Sequence, residues 1–269
     1  VPVYNVENYI VDCLISIDNQ NFKNTFEVLL INDCAKDNSI FLAEKFIKNS
    51  VNKEVFKIIS HSENRGLSAS RNTGIKNAQG LCLLFLDSDD TLNKNCLTEL
   101  YREIKSNELV VGNYTTFGNE TNISFPELLL NKSSATPLND FFLNKYYPMA
   151  WNKLISRKFI LENSLFFKEG IYHEDILWSY EVATKAKSIG VAHFITYNYR
   201  IRSNSIMSSK SIKNIEDKLY ILENIKNQFI YDGKNKKKYL NKFALTIADD
   251  LFTLNISNSQ LKKRKKDII

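Results

Sequence analysis

One segment constrains this chain more than any other: Leu81-Cys82-Leu83-Leu84-Phe85-Leu86-Asp87-Ser88-Asp89-Asp90. An uncharged apolar run that stops at carboxylates reads as a strand buried on both faces of a largely parallel sheet. Ligands of open α/β sheets collect at the carboxyl ends of strands, so the acids arrive where a site is expected. Asp87 and Asp89 stand two apart, and a bending chain can aim both at one point. Clustered carboxylates repel unless a cation or a hydrogen-bonded ligand neutralises them, and hard oxygen donors suit Mg²⁺ or Mn²⁺. A plainer reading makes the acids and Thr91 the N-cap of a following helix.

The residues around this segment alternate between two periods. Ile10, Leu14 and Ile17 give a helical stripe, and an apolar run follows over 26–31. Ala43, Phe46 and Ile47 mark a second helix, and 55–59 a second strand. A helix over 67–78 leads through Gly80 into the strand at Leu81; a further helix over 96–105 precedes a strand at 109–111. Such alternation predicts a doubly wound, mostly parallel sheet flanked by helices. Residues 118–148 are rich in Asn, Ser and Thr and predict a connecting region with one short helix near 138–143. A helix over 176–187 and a strand over 191–197 follow. Beyond Ser211 the pattern is helical and basic, with Ile215, Leu219 and Leu222 on one face.

Composition narrows the classes. A 269-residue chain that is 43% hydrophobic and 25% charged can bury a full core, and no run approaches the roughly 18 apolar residues of a membrane span. Cys13, Cys34, Cys82 and Cys96 lack CxxC spacing and histidine neighbours, so they read as reduced cytosolic thiols rather than zinc ligands or disulfides. The net charge of +6 gathers near the C-terminus, in Lys234, Lys236, Lys237, Lys238 and in Lys262, Lys263, Arg264, Lys265 and Lys266. These basic residues are not interleaved with the aromatics of a nucleic-acid stacking platform. They form either a solvated surface or a face for an anionic membrane leaflet. The opening Val1-Pro2-Val3 reads as a strand entered partway, which predicts further residues upstream.

Three other places could carry chemistry. Asp33 follows the strand over 26–31 in a polar turn where Asp37 or Ser39 would cap a helix, which leaves Asp33 to accept hydrogen bonds from a base or ribose. In Glu63-Asn64-Arg65-Gly66-Leu67-Ser68-Ala69-Ser70-Arg71-Asn72-Thr73-Gly74, small residues at a strand-to-helix junction let backbone N–H groups approach an anion, and Arg71 adds a guanidinium. Neither GxxxxGK[ST] nor GxGxxG is present. Glu174-Asp175 stands before an apolar helix, as a site acid pair or as charge at a helix N-terminus.

In order, Pro2-Val3-Tyr4-Asn5, Asn32-Asp33, Asn64 to Gly74, Phe85 to Asp90, Trp151-Asn152-Lys153-Leu154, Glu174-Asp175 and Tyr199-Arg200-Ile201-Arg202-Ser203-Asn204-Ser205-Ile206 resemble the family 2 glycosyltransferases of GT-A fold. The resemblance covers about residues 1–210. It implies residues 1–115 as a nucleotide-sugar-binding half and 116–210 as an acceptor-binding half of one domain, followed by a basic helical extension over 211–269. It also implies site roles. Pro2, Val3, Tyr4, Asn5 and Asp33 would line a uridine pocket, with Asn64, Gly66, Ser68, Arg71 and Ser88 on the nucleotide-sugar side. Asp87 would touch the ribose, and Asp89 would ligate Mn²⁺ or Mg²⁺ on the donor diphosphate. Arg200, Arg202 and Ser205 would close over that diphosphate. Asp175 would be the catalytic base, with Glu174, Trp151, Asn152 and Lys153 toward the acceptor. Where the family often has Asp-Gly-Ser, this chain has Asp33-Cys34-Ala35.

The activity so implied is inverting, metal-dependent transfer of a sugar from a UDP-sugar to a glycan or lipid-linked acceptor in bacterial surface polysaccharide or lipooligosaccharide synthesis. It would be cytoplasmic, with possible peripheral membrane contact and no nucleic-acid partner. Nucleotidyl transfer, and a non-catalytic nucleotide- or glycan-binding module, are the alternatives. Trp151 could equally be core.

Overall fold

The computed structural model describes residues 1–118, 129–202 and 212–228. Its strands are β1 (Pro2–Val3), β2 (Val28–Asn32), β3 (Phe56–Ser60), β4 (Cys82–Leu84), β5 (Thr91–Leu92), β6 (Leu109–Gly118), β7 (Lys153–Ser156) and β8 (Ile189–Ile201). Its helices are α1 (Ile10–Asp18), α2 (Ser39–Asn49), α3 (Leu67–Asn77), α4 (Cys96–Glu103), α5 (Pro137–Phe142), α6 (Arg157–Glu162), α7 (Glu174–Lys185) and α8 (Ile212–Gln228). Every apolar stripe read from the sequence became the helix or strand its period predicted. Thr91 did not cap a helix: it opens β5, and α4 starts only at Cys96.

Strands β1, β2 and β3 form a parallel sheet. The second sheet has the order β4-β7-β6-β8-β5, and only its β6–β8 pair is parallel. Parallel pairing therefore stops short of what the alternation predicted. The cause is β7, which starts at Lys153 within the Trp151–Leu154 segment and inserts antiparallel between β4 and β6. Along β6 the side chains alternate between two cores: Leu109 and Val111 join Ile155, Trp178 and Tyr180, whereas Val110 joins Leu154, Tyr197 and the α1 residues Ile10 and Leu14. A sheet covered on both faces explains why these strands read as unbroken apolar runs. The expected division at residues 115 and 116 falls inside β6.

Two details differ from expectation. Leu81 is 81% exposed and Cys82, Leu83 and Leu84 are half-buried rather than enclosed on both faces. One edge of β4 pairs with β7, and toward β2 it faces a cavity of about 740 Å³ lined by Val1, Val28, Leu29, Cys82, Leu84 and Leu154. At Gly112 a Cβ would lie 2.2 Å from Thr196 Oγ1, so only glycine lets β6 and β8 approach there.

All four cysteines are free. Among the described residues no helix is long and apolar enough to cross a membrane. The basic tail, and the membrane contact expected of it, lie outside the described residues apart from α8.

Candidate active site

Strands β2 and β4 end at one side of the molecule, and each ends in acid. After β2, Asp33 is buried and accepts from His61 Nδ1 at 2.7 Å, Arg65 N–H at 2.8 Å and Gly66 N–H at 2.7 Å. A carboxylate offers about four acceptor directions, so at most about one remains for a base. Asp33 staples the 65–66 loop to the sheet, so a uridine at this corner would meet a carboxylate with little acceptor capacity left. For the same reason two N–H groups of the glycine turn point at Asp33 and not at an anion. Gly66 sits at φ 86°, where a side chain would be strained, and His61 Nε2 meets Thr73 Oγ1 at 2.8 Å to close the corner. Next to Asp33, where the family often has glycine, Cys34 adopts φ 59° and keeps a left-handed turn.

Strand β1 brings Pro2 to Asn5 beside this corner, with Val3 O accepting from Asp33 N–H at 3.0 Å. The Val3 side chain is part of the core. Tyr4 is exposed, and Asn5 Oδ1 holds Lys36 N–H at 2.9 Å. Ser68 and Ser88 are buried and Asn64 is exposed.

At the exit of β4 the three acids separate. Asp90 is buried and accepts from Tyr197 Oη and from Arg200 N–H, each at 2.6 Å. Burial, and then Asp89 and Asp87 beside it, push its pKa up to about 8. Burial, and then the charge of Asp87, raise Asp89 as well, while Arg202 opposes the rise. Arg202 Nε lies 2.7 Å from Asp89 Oδ2, Arg200 Nε donates to Asp89 O at 2.7 Å, and Arg200 Nη2 pairs with Asp12 at 2.9 Å. The two arginines thus face one side, as their alternation predicted, and both turn to the acidic exit. Ser205 lies outside the described residues. The Asp90–Tyr197 pair was not read from the sequence; the third acid after an apolar strand was its only local signal.

Arg71 joins the two halves. It is 4% exposed, donates through Nη1 to Glu174 Oε1 at 2.6 Å and through Nη2 to Asp87 Oδ1 at 2.9 Å, and lies 5.2 Å from the centre of the Phe167 ring. Glu174, expected toward the acceptor, is therefore buried in an ion pair with Arg71. Asp175, one residue into α7, is half-buried and accepts from Ile176 N–H at 2.9 Å. Desolvation first, then Glu174, push its pKa up to about 7, while Arg71 and Lys153 oppose the rise.

Trp151, Asn152 and Lys153, also expected toward the acceptor, are all buried. Trp151 is 4% exposed, stacked on Tyr197 at 4.5 Å and Tyr199 at 5.4 Å with Tyr114 at its edge, so it offers no face to a sugar. Asn152 binds both backbone groups of Gly112. Lys153 is 1% exposed, with Nζ on Met149 O and over the Tyr146 ring; burial lowers its pKa to about 7. Trp151 packs on Tyr197, whose hydroxyl holds Asp90, and the Lys153 charge acts on Asp175.

Among the described residues no group of three His, Cys, Asp or Glu side chains could hold a metal ion. A divalent cation would rest on Asp89 and take its other oxygens from a ligand and water, a common arrangement for Mg²⁺. The crowding that raises Asp89 and Asp90 fits such an ion, because a cation relieves it.

Comparison with known proteins places this geometry. The model of the family described as "Glycosyl transferase family 2" matches residues 1–163. The EpsH protein of Bacillus subtilis is 32% identical over 231 residues, covering 83% of this chain and 66% of its own. Glycosyltransferase GlyA of Streptococcus pneumoniae is 34% identical over 220 residues, covering 77% of this chain and 30% of its own. The chain thus spans less than two thirds of either relative. Among solved structures, TarS 1–349 of S. aureus in complex with UDP-GlcNAc superposes with a TM-score of 0.74 at 25% identity, covering 90% of this chain and 69% of that one.

Proposed function

The chain belongs to glycosyl transferase family 2 and has its GT-A type α/β fold, and from that premise we propose that it transfers a sugar from a UDP-sugar to a hydroxyl of a glycan or lipid-linked acceptor, with inversion. One observation carries the reading: Arg71 ties Asp87 to Glu174, so two acidic stations far apart in sequence share one site. The structural likeness to TarS, which was solved with UDP-GlcNAc, supports UDP as the carrier. Family membership speaks against nucleotidyl transfer, the other chemistry suited to acids on an α/β sheet.

In this reading an inverting transfer is one in-line displacement at the anomeric carbon. Asp175 takes the proton of the acceptor hydroxyl as that oxygen attacks. Asp87 receives the ribose, and Arg71 fixes Asp87 relative to the turn that bears Asp175. Asp89 would hold Mn²⁺ or Mg²⁺, which when bound supplies positive charge to the diphosphate leaving group. Arg200 and Arg202, now on the acidic exit, would then serve the diphosphate. The nucleotide-sugar half is residues 1–115, and the acceptor half begins within β6. The acceptor setting we propose is surface-glycan synthesis at the inner face of the membrane.

The test is UDP binding by calorimetry with Mn²⁺ and with EDTA. Affinity is expected to fall by more than about tenfold, or about 1.4 kcal/mol, without the metal or in Asp89→Ala. Equal affinity in both buffers would remove Asp89 from its role. A panel of UDP-glucose, UDP-galactose and their N-acetyl forms, read as UDP release, then identifies the donor.

A further inference from the structure

The turn that delivers Glu174 and Asp175 has a conformation it would not keep alone. His173, immediately before α7, stands at φ 59°. Left-handed backbone at a residue with a Cβ is strained and persists where surrounding contacts impose it. Those contacts come from α8. Lys213 Nζ donates to Gly170 O at 2.9 Å, Asp217 Oδ2 accepts from Tyr172 N–H at 2.8 Å, and Asn214 Oδ1 lies 2.5 Å from His173 Nε2. Lys213 is itself paired with Asp217 at 2.9 Å and sits over the Tyr172 ring. Three of the four residues before α7 are gripped by the first turns of one helix.

The spacing on α8 shows how the grip is built. Asn214, Asp217, Ile221 and Ile225 are three, four and four residues apart, so they share one face. The apolar half, Ile221 and Ile225, enters the core that holds Leu177 and Trp178 of α7. The polar half is only 8% exposed at Asn214 and 7% at Asp217. Polar groups at such depth are costly unless bonded, and these bond to the turn. α8 docks by hydrophobic contact and clamps by hydrogen bond.

We propose that Asn214 and Asp217 are positioning residues that hold the 170–173 turn so that α7 presents Asp175 to the acceptor. The inference rests on Asp175 as the base, and it adds a separate claim: α8, a helix that bears none of the proposed reacting groups, sets where that base stands. A purely structural helix would stabilise the fold without setting the rate.

The experiment compares Asp217→Ala, Asp217→Asn and Asn214→Ala in the full chain, with Asp175→Asn alongside. Transfer kcat, UDP affinity and the thermal midpoint are read for each. Ile221 and Ile225 keep α8 docked in all of them, and Asn214→Ala carries the test should Asp217→Ala not fold. Displacement by about 1 Å can cost on the order of 10²-fold, so Asp217→Ala is expected to lower kcat by up to about that factor with UDP affinity unchanged. Asp217→Asn keeps an oxygen for Tyr172 N–H and is expected to recover most of the rate. A lowered midpoint with wild-type kcat would overturn the proposal, as would loss of UDP affinity in step with kcat. If Asp175→Asn itself turned over normally, the base assignment would fail first, whatever Asp217 did.

Discussion

Asp175→Asn is expected to lower kcat by about 10²- to 10⁴-fold, the usual cost of losing a general base, while UDP affinity is retained. A sugar hydroxyl attacks poorly until its proton is leaving, so a proton acceptor must stand beside it. Asn fills the same volume and cannot accept that proton. The half-buried site keeps Asp175 at about 7, well above the ordinary carboxylate range of about 3.9 and close to working pH. Only the ionised form acts as a base, so kcat/KM should rise with pH through the neutral range and level off above it. Burial is the first cause of the raised value and the charge of Glu174 the second. Glu174→Gln should therefore move the rising limb to lower pH and leave a working enzyme. Normal turnover by Asp175→Asn, with an inactive Glu174→Gln, would shift the base to Glu174.

The sequence was legible wherever an element is held by its own period. Ile10, Leu14 and Ile17 fall on the buried face of α1, and residues 26–31 contain most of β2. It was least legible where a partner is distant. Trp151-Asn152-Lys153-Leu154 carries an amide and a charge, which conceals the start of a strand. Asn152 turns at φ 56° and spends its amide on Gly112, and Lys153 finds Met149 O, so the polar groups are satisfied inside the core. Nothing in the local spacing encodes those partners. The acids show the same limit. Asp33, Asp87, Asp89 and Asp90 could be placed at strand ends from pattern alone, but not sorted. Asp33 is consumed by a loop and Asp90 by Tyr197 and Arg200, whereas Asp87 gives one oxygen, Oδ1, to Arg71. Periodicity locates a carboxylate at the site; the tertiary fold decides how much of its charge is left for a ligand.

Arg71→Met is expected to produce the largest loss of stability of any single change at the site, about 3–5 kcal/mol, the usual result of breaking a buried ion pair from one side. Burial by itself opposes the Arg71 charge; Asp87, Glu174 and Asp175 outweigh it and hold the guanidinium protonated above its ordinary range. Removing that charge leaves Asp87 and the buried Glu174 without their cation. Arg71 also lowers the pKa of Asp175, so without it the folded variant holds the Asp175 proton to higher pH than the unfolded chain does. Its stability should therefore fall as pH rises, so the gap to wild type is widest at neutral pH and closes in acid. Arg71→Lys tests geometry against charge: an ammonium keeps the charge but cannot present a planar fork to two carboxylates, so it should restore stability only in part. Thermal or denaturant unfolding of the three proteins across pH measures both effects. If Arg71→Met unfolded with wild type at neutral pH, the bridge would be an incidental contact, and the link between the two acidic stations would have to be sought in the backbone alone.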